Sequence, residues 1–147
     1  MYFVDRSRIE EILNYMDSIL NEVKNSKPNS YLENLGFERA VQVLIESILD
    51  VGNMMIDGFI MRDPGSYDDI IDILIDEKVL PAEEENNYKM FIRLRKKLVN
   101  EYTNSNQEAL NSVFHDNRAV LDQFSKHIRE YLDNELNVAN AFSNEKR

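Results

Sequence analysis

Apolar residues recur along this chain at the three-and-four spacing that lines one face of an α-helix. Ile9, Ile12, Leu13, Met16, Ile19, Leu20 and Val23 form a first stripe. Ser7-Arg8-Ile9-Glu10 reads as its capping box, with Asp5 as an alternative cap, and Lys27-Pro28-Asn29 ends it. Ser30-Tyr31-Leu32-Glu33 opens a second and longest helix, reaching about Met61. Its apolar face runs through Phe37, Val41, Leu44, Ile48, Val51 and Met55. Ile45, Leu49, Ile56 and Ile60 widen that face, so this helix is expected at the centre of the core. Asp63-Pro64-Gly65-Ser66 breaks the pattern, and Ser66-Tyr67-Asp68-Asp69 caps a short third helix through Ile70, Ile71, Leu74 and Ile75.

Pro81 suits the first position of a fourth helix, where its missing donor costs nothing. Tyr88, Phe91, Leu94 and Leu98 form its apolar side, and it should end near Tyr102-Thr103-Asn104. Ser105-Asn106-Gln107-Glu108 caps a fifth, whose seam is Leu110, Phe114, Leu121, Phe124, Ile128 and Tyr131, with Asn117 as a polar interruption. The expectation is an all-α, up-and-down helical bundle of four long helices plus one short one. A single domain would span residues 1–136, with 137–147 as a C-terminal tail.

Composition narrows the function classes. The 147 residues suffice for one domain with a real core, and only four glycines and three prolines suit long helices with few turns. The absence of cysteine excludes disulfides and thiolate metal sites and fits a cytoplasmic protein. No apolar run approaches the roughly 18 residues of a membrane span, and Met1-Tyr2-Phe3-Val4-Asp5 lacks the pattern of a signal peptide. A formal charge of −10 opposes broad nucleic-acid binding, which draws its affinity from phosphate neutralisation. That charge is uneven. Nine acidic residues against Lys78 alone lie between Asp63 and Glu85, and Arg93, Arg95, Lys96 and Lys97 follow.

Two features invite chemistry, and each also has a plain structural reading. The basic cluster is either a solvated helix face or a phosphate-binding surface. Glu46, Asp50, Asn53 and Asp57 step by four, three and four on the second helix, within about 60° of one another. They are the solvent edge of an amphipathic helix or the polar wall of a cleft. His115 and His127 are the only histidines and lie about 120° apart on one straight helix, so they do not form a pair.

The run Arg95-Lys96-Lys97-Leu98-Val99-Asn100-Glu101-Tyr102 resembles the signature of the HEPN superfamily in its HepT-like branch. That signature is an arginine, a four-residue gap, a histidine, one further residue and a tyrosine. Arg95 and Tyr102 match it, whereas Asn100 stands at the histidine position. The stretch 52–69, Gly52-Asn53-Met54-Met55-Ile56-Asp57-Gly58 through Pro64-Gly65-Ser66-Tyr67-Asp68-Asp69, resembles the YutE-type subgroup of the same family.

The resemblance implies metal-independent RNA cleavage without a cofactor, in a homodimer whose motif lines a cleft between subunits. Arg95, Asn100 and Tyr102 then occupy the catalytic positions, with Arg93, Arg95, Lys96 and Lys97 on RNA or phosphate. It also implies an MNT-type nucleotidyltransferase antitoxin as partner and Tyr102 as an adenylylation acceptor; a tyrosine packed at a helix end is the structural alternative. An amide cannot carry a proton as an imidazole does, so Asn100 points to weakened or lost cleavage. Glu101 is a substitute base of lesser standing. A non-catalytic HEPN module binding a nucleotide, RNA or a protein partner is the second reading, and a purely structural helical dimer the third. On one ideal helix Arg95 and Tyr102 share a face while Asn100 lies about 140° round. Either the helix ends between them or two chains bring two copies together.

Overall fold

The computed structural model describes residues 3–145. Met1, Tyr2, Lys146 and Arg147 lie outside the described residues, as do the side chains from Leu136 onward. Among the described residues every regular element is helical. The α-helices are α1 (Arg6–Val23), α2 (Tyr31–Gly58), α3 (Tyr67–Asp76), α4 (Glu85–Ile92), α5 (Arg95–Val99), α6 (Gln107–Leu121) and α7 (Phe124–Glu145). Single 3-10 turns at Ala82–Glu84 and Tyr102–Asn104 lead into α4 and follow α5. Taking α4 with α5 and α6 with α7, these are the four long rods and one short rod that the periodicity predicts. The backbone of α7 continues to Glu145, through most of the segment expected as a tail; that segment's side chains are among those not described.

Helix α2 is the axis of the bundle and packs against α1, α3, α5 and α6. Its Val41, Leu44, Ile45, Ile48, Val51 and Met55 are fully buried, as are Ile9, Leu13 and Met16 of α1 and Phe114, Phe124 and Ile128 of α6 and α7. Burying each such side chain contributes about 1.5–3 kcal/mol of transfer free energy, which is why the apolar stripe decides the fold. Gly52 lets α3 come close: a Cβ there would stand 2.6 Å from Ile70 Cγ2.

Helix starts follow local chemistry where nothing competes. Ser30 accepts from Glu33 N at 3.1 Å, and Ser66 from Asp69 N at 3.1 Å. At α1 the cap is Asp5, accepting from Arg8 N at 3.0 Å, rather than Ser7. The Ser105 capping box does not form. Ser105 is buried and donates to Glu38 of α2 beside Gln107, so Asn106, at φ 57°, caps α6 through Ala109 N instead. The Ser105 hydroxyl is turned to donate to a carboxylate on α2 instead of accepting from the first amides of α6.

The fourth rod bends where the basic cluster begins. Leu94 N bonds to Phe91 O, a tightened turn between α4 and α5. Helix α5 then closes at Val99, because Asn100 N and Glu101 N both bond to Lys96 O. Helix α2 likewise stops short of Met61. Ile60 takes φ 56°, and Met61 N returns to Ile56 O at 2.9 Å. A left-handed β-branched residue costs about 1–2 kcal/mol, and here it turns the chain toward the loop that carries the start of α3.

Candidate functional site

The loop 62–66 is pinned before α3 begins. Arg62 grips Asp69 with both terminal nitrogens, at 2.7 and 2.9 Å, and Gly65 N donates to the same carboxylate at 2.8 Å. The Arg62 hydrogen bond, then that of Gly65, holds the Asp69 carboxyl down at about 2. With Ser66 as cap, the first turn of α3 has little freedom, and its Tyr67 and Asp68 face the basic cluster across a groove.

That groove encloses about 430 Å³ and is lined by Ser66, Tyr67, Asp68, Ile92, Arg93, Arg95, Lys96 and Asn100. The volume lies within the range of small-molecule sites, roughly 300–1,000 Å³. The bend between α4 and α5 lets neighbouring arginines serve different helices. Arg93 donates to Asp68 Oδ2 of α3 from Nε at 3.1 Å and Nη2 at 2.6 Å. Arg95 donates from Nε to Glu46 Oε1 of α2 at 2.6 Å. Each hydrogen bond to its carboxylate raises the arginine's pKa still further, so both stay charged. The Arg95 guanidinium also lies over the Tyr67 ring, 4.8 Å from its centroid, a cation–π arrangement. Among the described residues its two terminal nitrogens donate to no protein group.

The end of α5 rearranges the signature. Asn100 caps that helix at φ −103° and lines the groove beside Arg95 and Lys96. Tyr102, placed on the following 3-10 turn, is 71% exposed and lines a separate groove with Leu35, Glu38, Arg39, Gln42, Leu98 and Ser105. The ideal-helix expectation is therefore reversed: Asn100 joins Arg95, and Tyr102 leaves it. Lys97 points elsewhere and pairs with Glu101 at 3.8 Å.

Of the expected polar wall, Glu46 alone touches the site, and it does so through Arg95. Asp50, Asn53 and Asp57 are exposed on α2 and do not line this groove. The Asp50 carboxyl, though exposed, is raised, first by partial desolvation and then by the charge of Glu46, against a lowering by Arg8. Neither histidine reaches the groove. His115 stacks on Phe37 and meets Phe114 edge-on, with centroids 6.5 and 5.0 Å away. His127 Nε2 lies 3.1 Å from Glu84, which also accepts from the buried Tyr88 hydroxyl at 3.2 Å. Burial, then the Glu84 charge, keeps that phenol protonated. Among the described residues no three His, Cys, Asp or Glu side chains converge as metal ligands, and no helix is long and apolar enough to cross a membrane. Ser66, Tyr67, Asp68 and Ile92 are absent from the residues the sequence singles out for chemistry. The signal for the first three was present, since all fall in the stretch 52–69.

The profile of the family described as "Ribonuclease HepT-like" matches residues 7–128. The chain belongs to the HepT-like ribonuclease family. A relative from Bacillus subtilis (strain 168), named "Putative RNase YutE", is 46% identical over 143 residues, covering 97% of this chain and 99% of the relative. A solved structure of the Bacillus subtilis cytosolic protein YutE, described there as of unknown function, superimposes with a TM-score of 0.88 at 46% identity. It covers 92% of this chain and 96% of the other. Both the HepT-like assignment and the YutE-type likeness of residues 52–69 thus agree with whole-chain relationships. The helical HEPN-like bundle is shared with the solved relative.

Proposed function

We propose that this HepT-like protein is the toxin-type member of a toxin–antitoxin system, working on RNA as a homodimer, with cleavage weakened or lost at Asn100. One observation carries the reading: a groove that presents the free fork of Arg95 to an anion has an amide beside it and no imidazole in its lining. In metal-independent cleavage the ribose 2′-oxygen attacks phosphorus while the bond to the 5′-oxygen breaks. A base takes the 2′ proton and an acid supplies one to the leaving oxygen. The two terminal nitrogens of Arg95 suit the charge that builds on the phosphate oxygens. Asn100 can hydrogen-bond the phosphate or a base edge but moves no proton, and loss of a general acid–base group costs about 10²–10⁴ in rate.

The dimer reading draws support from surface chemistry. Tyr31, Leu32, Leu35 and Tyr102 are large, apolar and exposed around the start of α2 and the end of the signature. A second copy packed there would bring Tyr102 of one chain toward the cleft of the pair. The same exposure suits Tyr102 as acceptor of an adenylyl group from an MNT-type nucleotidyltransferase, which would set bulk and negative charge in that cleft. A cytoplasmic location accompanies this reading, the YutE relative being described as cytosolic. The alternative is a non-catalytic module that binds a nucleotide, RNA or a protein partner at the same groove, favoured by the amide at position 100.

An RNA-cleavage assay separates the two. Asn100→His should raise cleavage at least tenfold, and adding Arg95→Ala should abolish the gain. If Asn100→His cleaves no faster than the native chain while RNA binding persists, the disarmed-nuclease reading fails and the binding module stands.

A further inference from the structure

The groove is nearly neutral, and that limits what can bind there by charge. Asp68 takes Arg93, Glu101 takes Lys97 and Glu46 takes one edge of Arg95, which leaves Lys96 without an ion-pair partner among the described residues. One net cation neutralises about one phosphate, so affinity for a single strand would fall only about 0.7 decade per decade of salt. A backbone grip of that size does not hold RNA by itself. The chain as a whole, at −10, opposes it further.

What the groove has instead is an aromatic surface held in place. Tyr67 starts α3 between the Ser66 cap and the Arg62–Asp69 clamp, is 49% exposed, and lies under the Arg95 guanidinium. Ile92, buried at 2% exposure, adds apolar lining, and the exposed Asn100 amide offers a donor and an acceptor side by side. An aromatic ring, a stacked guanidinium and a bidentate amide are the groups that bind an unpaired nucleobase. Asp68 and Glu46 fix the cations and bring carboxylate charge that a phosphate would not favour.

We infer that Tyr67 is the base-stacking residue of this groove, which takes one unpaired nucleobase of single-stranded RNA. The base stacks on the Tyr67–Arg95 pair, Asn100 bonds its edge, and Lys96 meets one adjoining phosphate. The inference rests on the groove being the RNA site. It adds that affinity comes from the base more than from the backbone and that a closed duplex is excluded, because its bases are not presented.

The test is fluorescence anisotropy on the full chain with a short labelled oligouridine, the same oligomer made abasic, and a duplex of equal length. Stacking on one base is worth enough that Tyr67→Leu should bind the oligouridine about 5- to 100-fold more weakly, with Tyr67→Phe within about twofold of native. The abasic oligomer, which lacks the Asn100 contact too, should bind the native chain at least as weakly as oligouridine binds Tyr67→Leu, and should not distinguish the two proteins. Unchanged thermal midpoints show that the variants fold, and Tyr67→Phe keeps the ring if Tyr67→Leu does not. Native-like binding by Tyr67→Leu, with loss in Arg95→Ala, overturns the stacking role and leaves the RNA site standing. Equal affinity for duplex or abasic RNA overturns it as well. If no oligomer binds, or if neither Tyr67→Leu nor Arg95→Ala changes affinity, the RNA-site reading falls with it.

Discussion

Two arginines, Arg95 in the groove and Arg129 on the seam between α1 and α7, look alike in the sequence and do opposite work. Arg129 uses every nitrogen. Its Nε donates to both oxygens of Glu10, at 3.0 and 3.2 Å, its Nη1 to Asp17 at 3.3 Å and its Nη2 to Asn14 at 3.0 Å. Four contacts to three residues of one helix make a rivet between α7 and α1. Arg95 spends Nε on Glu46 and keeps its fork toward a concavity, over an aromatic ring. A saturated guanidinium holds a fold together; a partly engaged one, already oriented by its carboxylate, is ready for a ligand. Glu46 is thus a positioning residue for Arg95 as much as a neutralising one.

The sharpest break of that comparison is to remove each arginine in turn. Arg129→Ala should lower stability by about 1–3 kcal/mol in chemical denaturation, since Glu10 and Asp17 lose a shared partner that is one-third exposed. RNA affinity should stay as it is. Arg95→Ala, which removes a single partly exposed pair, should cost under about 1 kcal/mol, yet weaken RNA binding. If the stability losses come out reversed, the two roles are misassigned.

A second variant reaches the groove through packing. Gly52→Ala sets a methyl against the stiff branch of Ile70, 2.6 Å away, so α3 must shift. The overpacking should outweigh the better helix propensity of alanine and leave a net loss of about 1–2 kcal/mol. Because α3 carries Tyr67, oligouridine affinity should drop with it. Native stability in the Gly52→Ala variant would show that the α2–α3 contact yields freely.

The smallest effect concerns pH. Asp69 has its pKa held down at about 2, first by Arg62 and then by Gly65 N, against about 3.9 in an unfolded chain. A depressed carboxylate stabilises the fold fully above about pH 4, and that contribution is lost as pH falls toward about 2. Thermal midpoints of the native chain should therefore drop more steeply over that window than those of Asp69→Asn. Parallel curves would mean that the Arg62 clamp adds nothing to the fold.

How far the site could be read in advance differs residue by residue. Ser30 and Ser66 cap as expected because each competes only with its own next turn. Ser105 had the same credentials and failed, since Glu38, 67 positions away, claims its hydroxyl. Tyr67 stands three, four and seven residues before Ile70, Ile71 and Leu74. Periodicity alone would place it in the core, yet at the first turn of α3 it overhangs the end of the packed face and stays half exposed. Asn100 and Tyr102 change places relative to Arg95 because α5 closes through two bonds to Lys96 O, an ending that helical spacing does not encode.

The sequence by itself determined the rods, their order and the family, because apolar spacing and short motifs are local and repeated over many residues, so single exceptions do not alter the result. Only the tertiary structure decided which arginine is saturated and which is free, and which aromatic ring lies beneath it. Those outcomes depend on partners tens of positions apart, Glu46 with Arg95 across 49 residues and Glu10 with Arg129 across 119. A carboxylate binds whichever cation the packed helices carry within about 3 Å of it, and that proximity is created by burying the apolar faces rather than written beside either residue.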